Sequence, residues 1–180
     1  MRIVAGSLGS RKIKSLKTNQ SRPTSEKIRS AIFDHLGSSF SEGSFLDLFS
    51  GTGAMSFEAI SRGFDFAVLV EKDRKAFGII KENIKDLNLE DSTKVLNMDA
   101  KRYLKTNHEK FDLIFMDPPY NYDEIEQLLV EIDKLEILRE KGYCIVETDK
   151  NVNLADNLST LHKYQLKKYG NTLIHYYIKG

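Results

Sequence analysis

The chain has 180 residues, 41% of them hydrophobic and 29% charged, with a formal net charge of +1. These are ordinary values for a soluble globular protein, and the length suits one domain with a real core. No apolar run is long enough to span a bilayer, the amino end MRIVAGSLGSRK has no secretory h-region, and the single cysteine, Cys144, cannot form an internal disulfide; a cytoplasmic monomer without membrane contact is expected.

The near-neutral total hides an asymmetry. Residues 1–30 hold eight lysines and arginines and one acid, Glu26, so this stretch carries +7 and the rest of the chain −6. From residue 157 onward there are four lysines and no acid. Clustered positive charge on a neutral protein marks a polyanion-binding face, and Arg2, Arg11, Lys12, Lys14, Arg22 and Arg29 are the candidate contacts. The alternative is a solvated surface. His35, His108, His162 and His175 are scattered without metal-ligand spacing, so no metal site is expected.

In chain order, residues 1–16 read as a β-hairpin around Gly6-Ser7-Leu8-Gly9-Ser10. Pro23-Thr24 then opens a helix, with Thr24 as N-cap and Glu26 in the first turn. Its apolar stripe is Ile28, Ala31, Ile32 and Leu36, with Lys27, Arg29 and Asp34 off the stripe and Gly37 as the stop. Strands and helices then alternate. Residues 45–49 are a buried strand, followed by Ser50-Gly51-Thr52-Gly53 and a helix over 54–62. Residues 66–70 are a strand ending in Glu71, and 74–87 a helix with Ala76, Phe77, Ile80, Ile84 and Leu87 inward. Residues 93–98 are a strand ending in Asp99, and 100–106 a short helix.

Residues 111–116 form an apolar run of strand length, halted by Asp117-Pro118-Pro119-Tyr120, since proline has no N–H for a ladder. A helix over 123–135, a strand over 143–147 and a short helix over 154–161 follow. A closing hairpin spans 164–169 and 173–179, with Gly170-Asn171 at the turn. The alternation predicts an α/β fold: a mostly parallel, Rossmann-like seven-stranded sheet with right-handed crossovers and an antiparallel edge strand from the last hairpin. Residues 1–37 form a basic extension too small for its own core, and 38–180 the main body of a single domain.

Two constellations carry chemistry. The loop after the 111–116 strand lies where open α/β sheets bind ligands. An exocyclic amine on a nucleobase gives its lone pair to the ring and is a poor nucleophile. Two acceptors gripping its hydrogens, the Asp117 carboxylate and the Pro118 carbonyl, would turn that lone pair toward an electrophile. Tyr120 could stack on the base. On this stretch alone, a Pro-Pro turn with Asp117 capping the next helix is an equal reading.

The second constellation is a nucleoside pocket at successive strand ends. Gly51-Thr52-Gly53 lets the backbone pass close to a ligand. Glu71 is placed to accept both hydroxyls of a ribose, and Asp99 to accept an adenine amino group. Each could instead cap a helix. Position 56 is serine, which breaks the G-x-G-x-x-G dinucleotide pattern. Asp47 lies within a buried strand and needs a partner if ionised, such as a ligand ammonium, directly or through water.

These residues have a familiar arrangement. FLDLFSGTGAM at 45–55, with Glu71, Asp99 and DPPY at 117–120, resembles the class I S-adenosylmethionine-dependent methyltransferases, and DPPY their amino-methyltransferase branch. The opening RIVAGSLGSRKIKSL followed by RPTSEKIRSAIFDHL is similar to the RsmD family, which methylates the guanine N2 amine of bacterial 16S ribosomal RNA. The resemblance covers essentially the whole chain, though its last third matches in layout only. It implies that Asp47, Gly51, Thr52, Gly53, Glu71 and Asp99 bind S-adenosylmethionine. It also implies that Asp117, Pro118, Pro119 and Tyr120 hold the target guanine, and that the partner is 16S ribosomal RNA, free or within a partly assembled small subunit. The residues leave open an adenine-N6 methyltransferase, a protein glutamine methyltransferase, an idle RNA-binding module on the same fold, and a nicotinamide oxidoreductase.

Overall fold

The computed structural model describes residues 1–16, 25–119 and 122–180. Among these, seven strands make one sheet: β1 (Ser44–Asp47), β2 (Phe66–Val70), β3 (Thr93–Leu96), β4 (Phe111–Met116), β5 (Leu138–Asp149), β6 (Leu161–Tyr169) and β7 (Thr172–Lys179). Their order is β3-β2-β1-β4-β5-β7-β6. The first five run parallel to one another, and β7 runs antiparallel to both β5 and β6. The antiparallel strand therefore sits one place in from the edge, with β6 outermost.

The helices are α1 (Glu26–Leu36), α2 (Ala54–Ser61), α3 (Arg74–Leu87), α4 (Ala100–Thr106) and α5 (Ile125–Lys134). Side chains alternate across a strand. Phe45, Ala67, Leu69, Leu113 and Phe115 accordingly join one apolar cluster with α1, α2 and α3. Their neighbours Leu46, Val68, Val70, Ile114 and Met116 join a second cluster with α4 and α5. Cys144 is fully buried in the second. Ile3 and Ile13 belong to the first cluster, so the N-terminal segment shares the core of the sheet.

The structure corrects four expectations. The N-terminal hairpin shrinks to one antiparallel bridge, Arg2 with Lys12, supported by the Ile3–Arg11 and Ile13–Met1 backbone bonds. Its glycine-containing loop spends its bonds on α2 instead: Ser7 N donates to the Ser61 carbonyl and Leu8 N to Ser61 Oγ. The first helix is capped by Ser25, whose side chain accepts from Ile28 N; Pro23, Thr24 and Arg22 lie outside the described residues.

Residues 154–161 are not helical. The amides of Ser159, Thr160 and Leu161 all donate to the Asp133 carboxylate at 2.8–3.0 Å, so a side chain from α5 takes the donors a helix would need.

Arg29 is the fourth correction. Its place off the apolar stripe predicts a polar-face residue and an RNA contact, but it is fully buried. Its Nε lies 3.3 Å from Glu58 Oε2 and its Nη2 donates to the Arg2 carbonyl at 2.5 Å. Glu58, also fully buried, accepts from Arg62 Nε at 2.8 Å and from the Val4 and Ala5 amides at 2.7 and 3.0 Å. One carboxylate thus gathers α1, α2 and the N-terminal segment.

Candidate active site

Ligand sites in this architecture lie beyond the carboxyl ends of the strands, where the strand order reverses. Here that point is between β1 and β4. A cleft of about 590 Å³ opens there, and its walls include Asp47, Gly51, Thr52, Glu71, Asp99, Asp117, Pro118 and Pro119. Candidate residues from four strand ends therefore share one cavity. Tyr120 lies outside the described residues.

The turn after β1 is built by two glycines at positive φ, Gly51 at 55° and Gly53 at 87°. They do different jobs. A Cβ on Gly53 would come within 2.5 Å of the Phe57 ring, so Gly53 allows the loop to close on α2. A Cβ on Gly51 would meet nothing within 4 Å, so this side of the loop faces open space into which a ligand fits.

Glu71 follows β2. Its Oε2 accepts from Gly51 N at 2.8 Å and its Oε1 from Asp73 N at 2.7 Å. It is not the cap of α3, because Asp73 accepts from Ala76 N in that role. Each Glu71 oxygen keeps a lone pair for a further donor. Burial raises its pKa, with the two amides pulling the other way. Asn97, which no motif marks, donates from Nδ2 to the Glu71 and Lys72 carbonyls and fixes the backbone behind this carboxylate. Asp99 does cap a helix: its Oδ1 accepts from Lys101 N at 2.9 Å at the start of α4. It also faces the cleft.

Asp47 is 1% exposed. Its Oδ2 accepts from Ser56 Oγ at 3.0 Å, and its Oδ1 has no partner among the described residues. Burial lifts its pKa to about 7, with the nearby Glu71 carboxylate adding to the rise, against the Ser56 hydroxyl and the Phe49 backbone N–H, which favour the ionised form. A buried carboxylate oxygen without a donor, on the wall of a cleft, fits a ligand that brings its own cation. Ser56, the residue that breaks the glycine pattern, holds the other oxygen.

Sequence reasoning missed Phe49 and Tyr122, which also line the cleft. Their rings meet edge to face with centroids 5.2 Å apart. The Tyr122 hydroxyl is buried with no partner among the described residues, and burial, with Asp99 and Glu124 nearby, pushes its pKa up to about 12. Thr148 and Asp149 from β5 and Thr172 from β7 complete the far wall. Met1, Ser15 and Leu16 reach the cleft from the N-terminal segment. Only the aromatic residues flanking the glycine loop and the double proline carry a sequence signal for any of these.

The basic candidates disperse. Arg2 pairs with Glu26 at 3.2 Å. Lys14 lies 3.0 Å from Glu82 and 2.9 Å from Asp86, and Arg11 donates to the Asp86 carbonyl. Lys12 is exposed, and no ion pair involves it among the described residues.

The family model described as Conserved hypothetical protein 95 matches residues 1–178. A Bacillus subtilis relative named "Putative rRNA methyltransferase YlbH" is 36% identical over 182 residues, covering 99% of each chain. Ribosomal RNA small subunit methyltransferase D of Buchnera aphidicola is 30% identical, covering 84% of this chain and 80% of the relative. A solved structure described as a conserved hypothetical protein of Streptococcus pyogenes matches with a TM-score of 0.80 at 39% identity, covering 84% of this chain and 95% of that one.

Proposed function

The chain belongs to the Conserved hypothetical protein 95 family, and from that membership and the cleft's geometry we propose an S-adenosylmethionine-dependent methyltransferase that modifies the N2 amine of a guanine in 16S ribosomal RNA. The observation that carries this reading is the single cleft shared by the nucleoside-type carboxylates Asp47, Glu71 and Asp99 and by Asp117-Pro118-Pro119. The names of two relatives, one "Putative rRNA methyltransferase YlbH" and one "Ribosomal RNA small subunit methyltransferase D", both matched over most of their length, support the substrate class.

The roles follow from the donors and acceptors present. Glu71 accepts the two ribose hydroxyls, using the lone pairs not taken by Gly51 and Asp73. Asp47 balances the ammonium group through its unpaired oxygen. Asp99 accepts the adenine amine. S-adenosylmethionine brings a methyl group on a sulfonium, already an excellent leaving group. The protein's task is then mainly orientation. Asp117 and the Pro118 carbonyl hold the two hydrogens of the guanine amine and turn its lone pair outward. One proton leaves to Asp117 or to water after transfer. Tyr120 stacks on a base that must first leave its helix. Residues 1–37 act as an RNA-facing extension of one domain, through Lys12 and its neighbours, and the protein works as a cytoplasmic monomer.

Mass spectrometry of ribosomal RNA from cells lacking this protein tests the assignment. Loss of one N2-methylguanosine from 16S ribosomal RNA is expected. Loss of N6-methyladenosine instead, or an unchanged profile, would overturn it.

A further inference from the structure

Asn83 lies in the middle of α3, only 1% exposed, on the stripe that otherwise carries Ala76, Ile80, Ile84 and Leu87. An apolar residue would suit that position, and a buried amide is costly unless its groups are satisfied. Among the described residues, all of its hydrogen bonds go to the backbone of two distant segments. Oδ1 accepts from Lys14 N at 2.8 Å, and Nδ2 donates to the Lys14 carbonyl at 3.0 Å and to the Thr52 carbonyl at 3.1 Å. Thr52 stands between Gly51 and Gly53 in the cofactor loop. Lys14 is followed directly by Ser15 and Leu16, which line the same cleft.

Resting on the cofactor reading above, we propose that Asn83 is a positioning residue that couples occupancy of the cleft to the ordering of the basic N-terminal segment. Arg11 and Lys14 lie along the same helix, against Asp86 and Glu82, so α3 holds the segment along its length. Among the described residues, only the Asn83 amide joins that segment to the glycine loop by hydrogen bonds. A molecule filling the cleft meets the glycine loop on one side and Ser15 and Leu16 on the other. It therefore favours the arrangement in which Asn83 satisfies both. By linkage the effect is reciprocal: a segment held in place, as when RNA engages Arg11, Lys12 and Lys14, favours the occupied cleft.

The test is amide hydrogen exchange on the full chain with and without S-adenosylhomocysteine, read at Ile13. The Ile13 amide bonds to the Met1 carbonyl and not to Asn83, so losing the Asn83 side chain does not unprotect it directly. In the wild-type protein the ligand should slow Ile13 exchange by about fivefold or more. In Asn83→Ala the ligand should bind and leave Ile13 exchange unchanged. Asn83→Asp serves as a second variant, because it keeps an acceptor for Lys14 N while losing the donor to the Lys14 and Thr52 carbonyls; it should lose the response as well. A purely structural role would alter baseline exchange and preserve the ligand-induced factor. That result, or a wild-type protein that binds S-adenosylhomocysteine with no slowing at Ile13, would overturn the proposal. Failure of the wild-type protein to bind S-adenosylhomocysteine would overturn the cofactor reading itself, and this inference with it.

Discussion

Asp47 gives the sharpest link between burial and binding. Its carboxyl is held near a pKa of about 7, against an ordinary value of 3.8, because it is buried and faces the Glu71 carboxylate, and its Oδ1 has no partner among the described residues. If an ammonium group binds the ionised form, affinity must rise with pH until Asp47 is fully ionised. Between pH 5.5 and 7.0 the ionised fraction goes from about 3% to about half, so affinity for S-adenosylmethionine should rise about fifteenfold. That range lies below the titration of an ordinary amino group. Burial also raises Glu71, which adds its own dependence, so the decisive quantity is the difference between wild type and Asp47→Asn by calorimetry. The sign for folding is the reverse. A carboxyl with a raised folded pKa favours the folded state fully below pH 3.8, and this advantage is lost as pH rises through about 7. Unliganded Asp47→Asn should then be more stable than wild type at neutral pH, by as much as about 4 kcal/mol. Equal pH dependence of binding in the two proteins would refute the reasoning.

Other outcomes follow from the same geometry. Glu71→Ala should weaken S-adenosylmethionine binding about 10–100-fold with the fold retained, since two charge-assisted bonds disappear; unchanged affinity would leave Glu71 a backbone prop for Gly51 and Asp73. Glu58→Ala leaves the buried Arg29 without its carboxylate partner, Arg62 with Asp34 as its carboxylate partner, and the Val4 and Ala5 amides without their acceptor. It should cost about 3–5 kcal/mol in chemical denaturation, and a change under about 1 kcal/mol would contradict the network. Neutralising Arg11, Lys12 and Lys14 together should flatten the salt dependence of RNA binding, by about 0.7–0.9 in log–log slope for each phosphate no longer neutralised. Because Glu82 and Asp86 compete for Lys14, the drop should be smaller than three full charges would give. An unchanged slope would place the RNA elsewhere.

Much of the architecture is legible in the chain because strand ends announce themselves. Gly51, Glu71, Asp99 and Asp117 each follow an apolar run of strand length, and parallel strands bring such ends to one rim. The helix over residues 74–87 is equally plain from its apolar periodicity. What escapes is set by residues far apart in sequence. Arg29 lies off the local apolar stripe, and only a carboxylate on another helix makes its burial tolerable. The one available hint is Glu58 itself, an acid in the middle of the apolar helix AMSFEAIS. Residues 154–161 have helical composition, but Asp133 captures their amides from α5. Ser56 draws notice for the glycine it replaces, whereas its hydroxyl supports Asp47. Asn83 looks like one more polar position on an amphipathic helix, because no local pattern shows that both of its partners are backbone.

The central claim is that Asp117 acts on the amine as it gains positive charge, within the cleft that holds the methyl donor. An interaction made chiefly in the transition state lowers turnover when removed, without a matching loss of substrate affinity. The direct measurement is single-turnover methyl transfer from S-adenosylmethionine to 16S ribosomal RNA by wild type and Asp117→Ala, with RNA affinity measured alongside. Asp117→Ala should bind RNA nearly as wild type does and transfer the methyl group about 100-fold or more slowly. Near-normal transfer by Asp117→Ala would contradict the account.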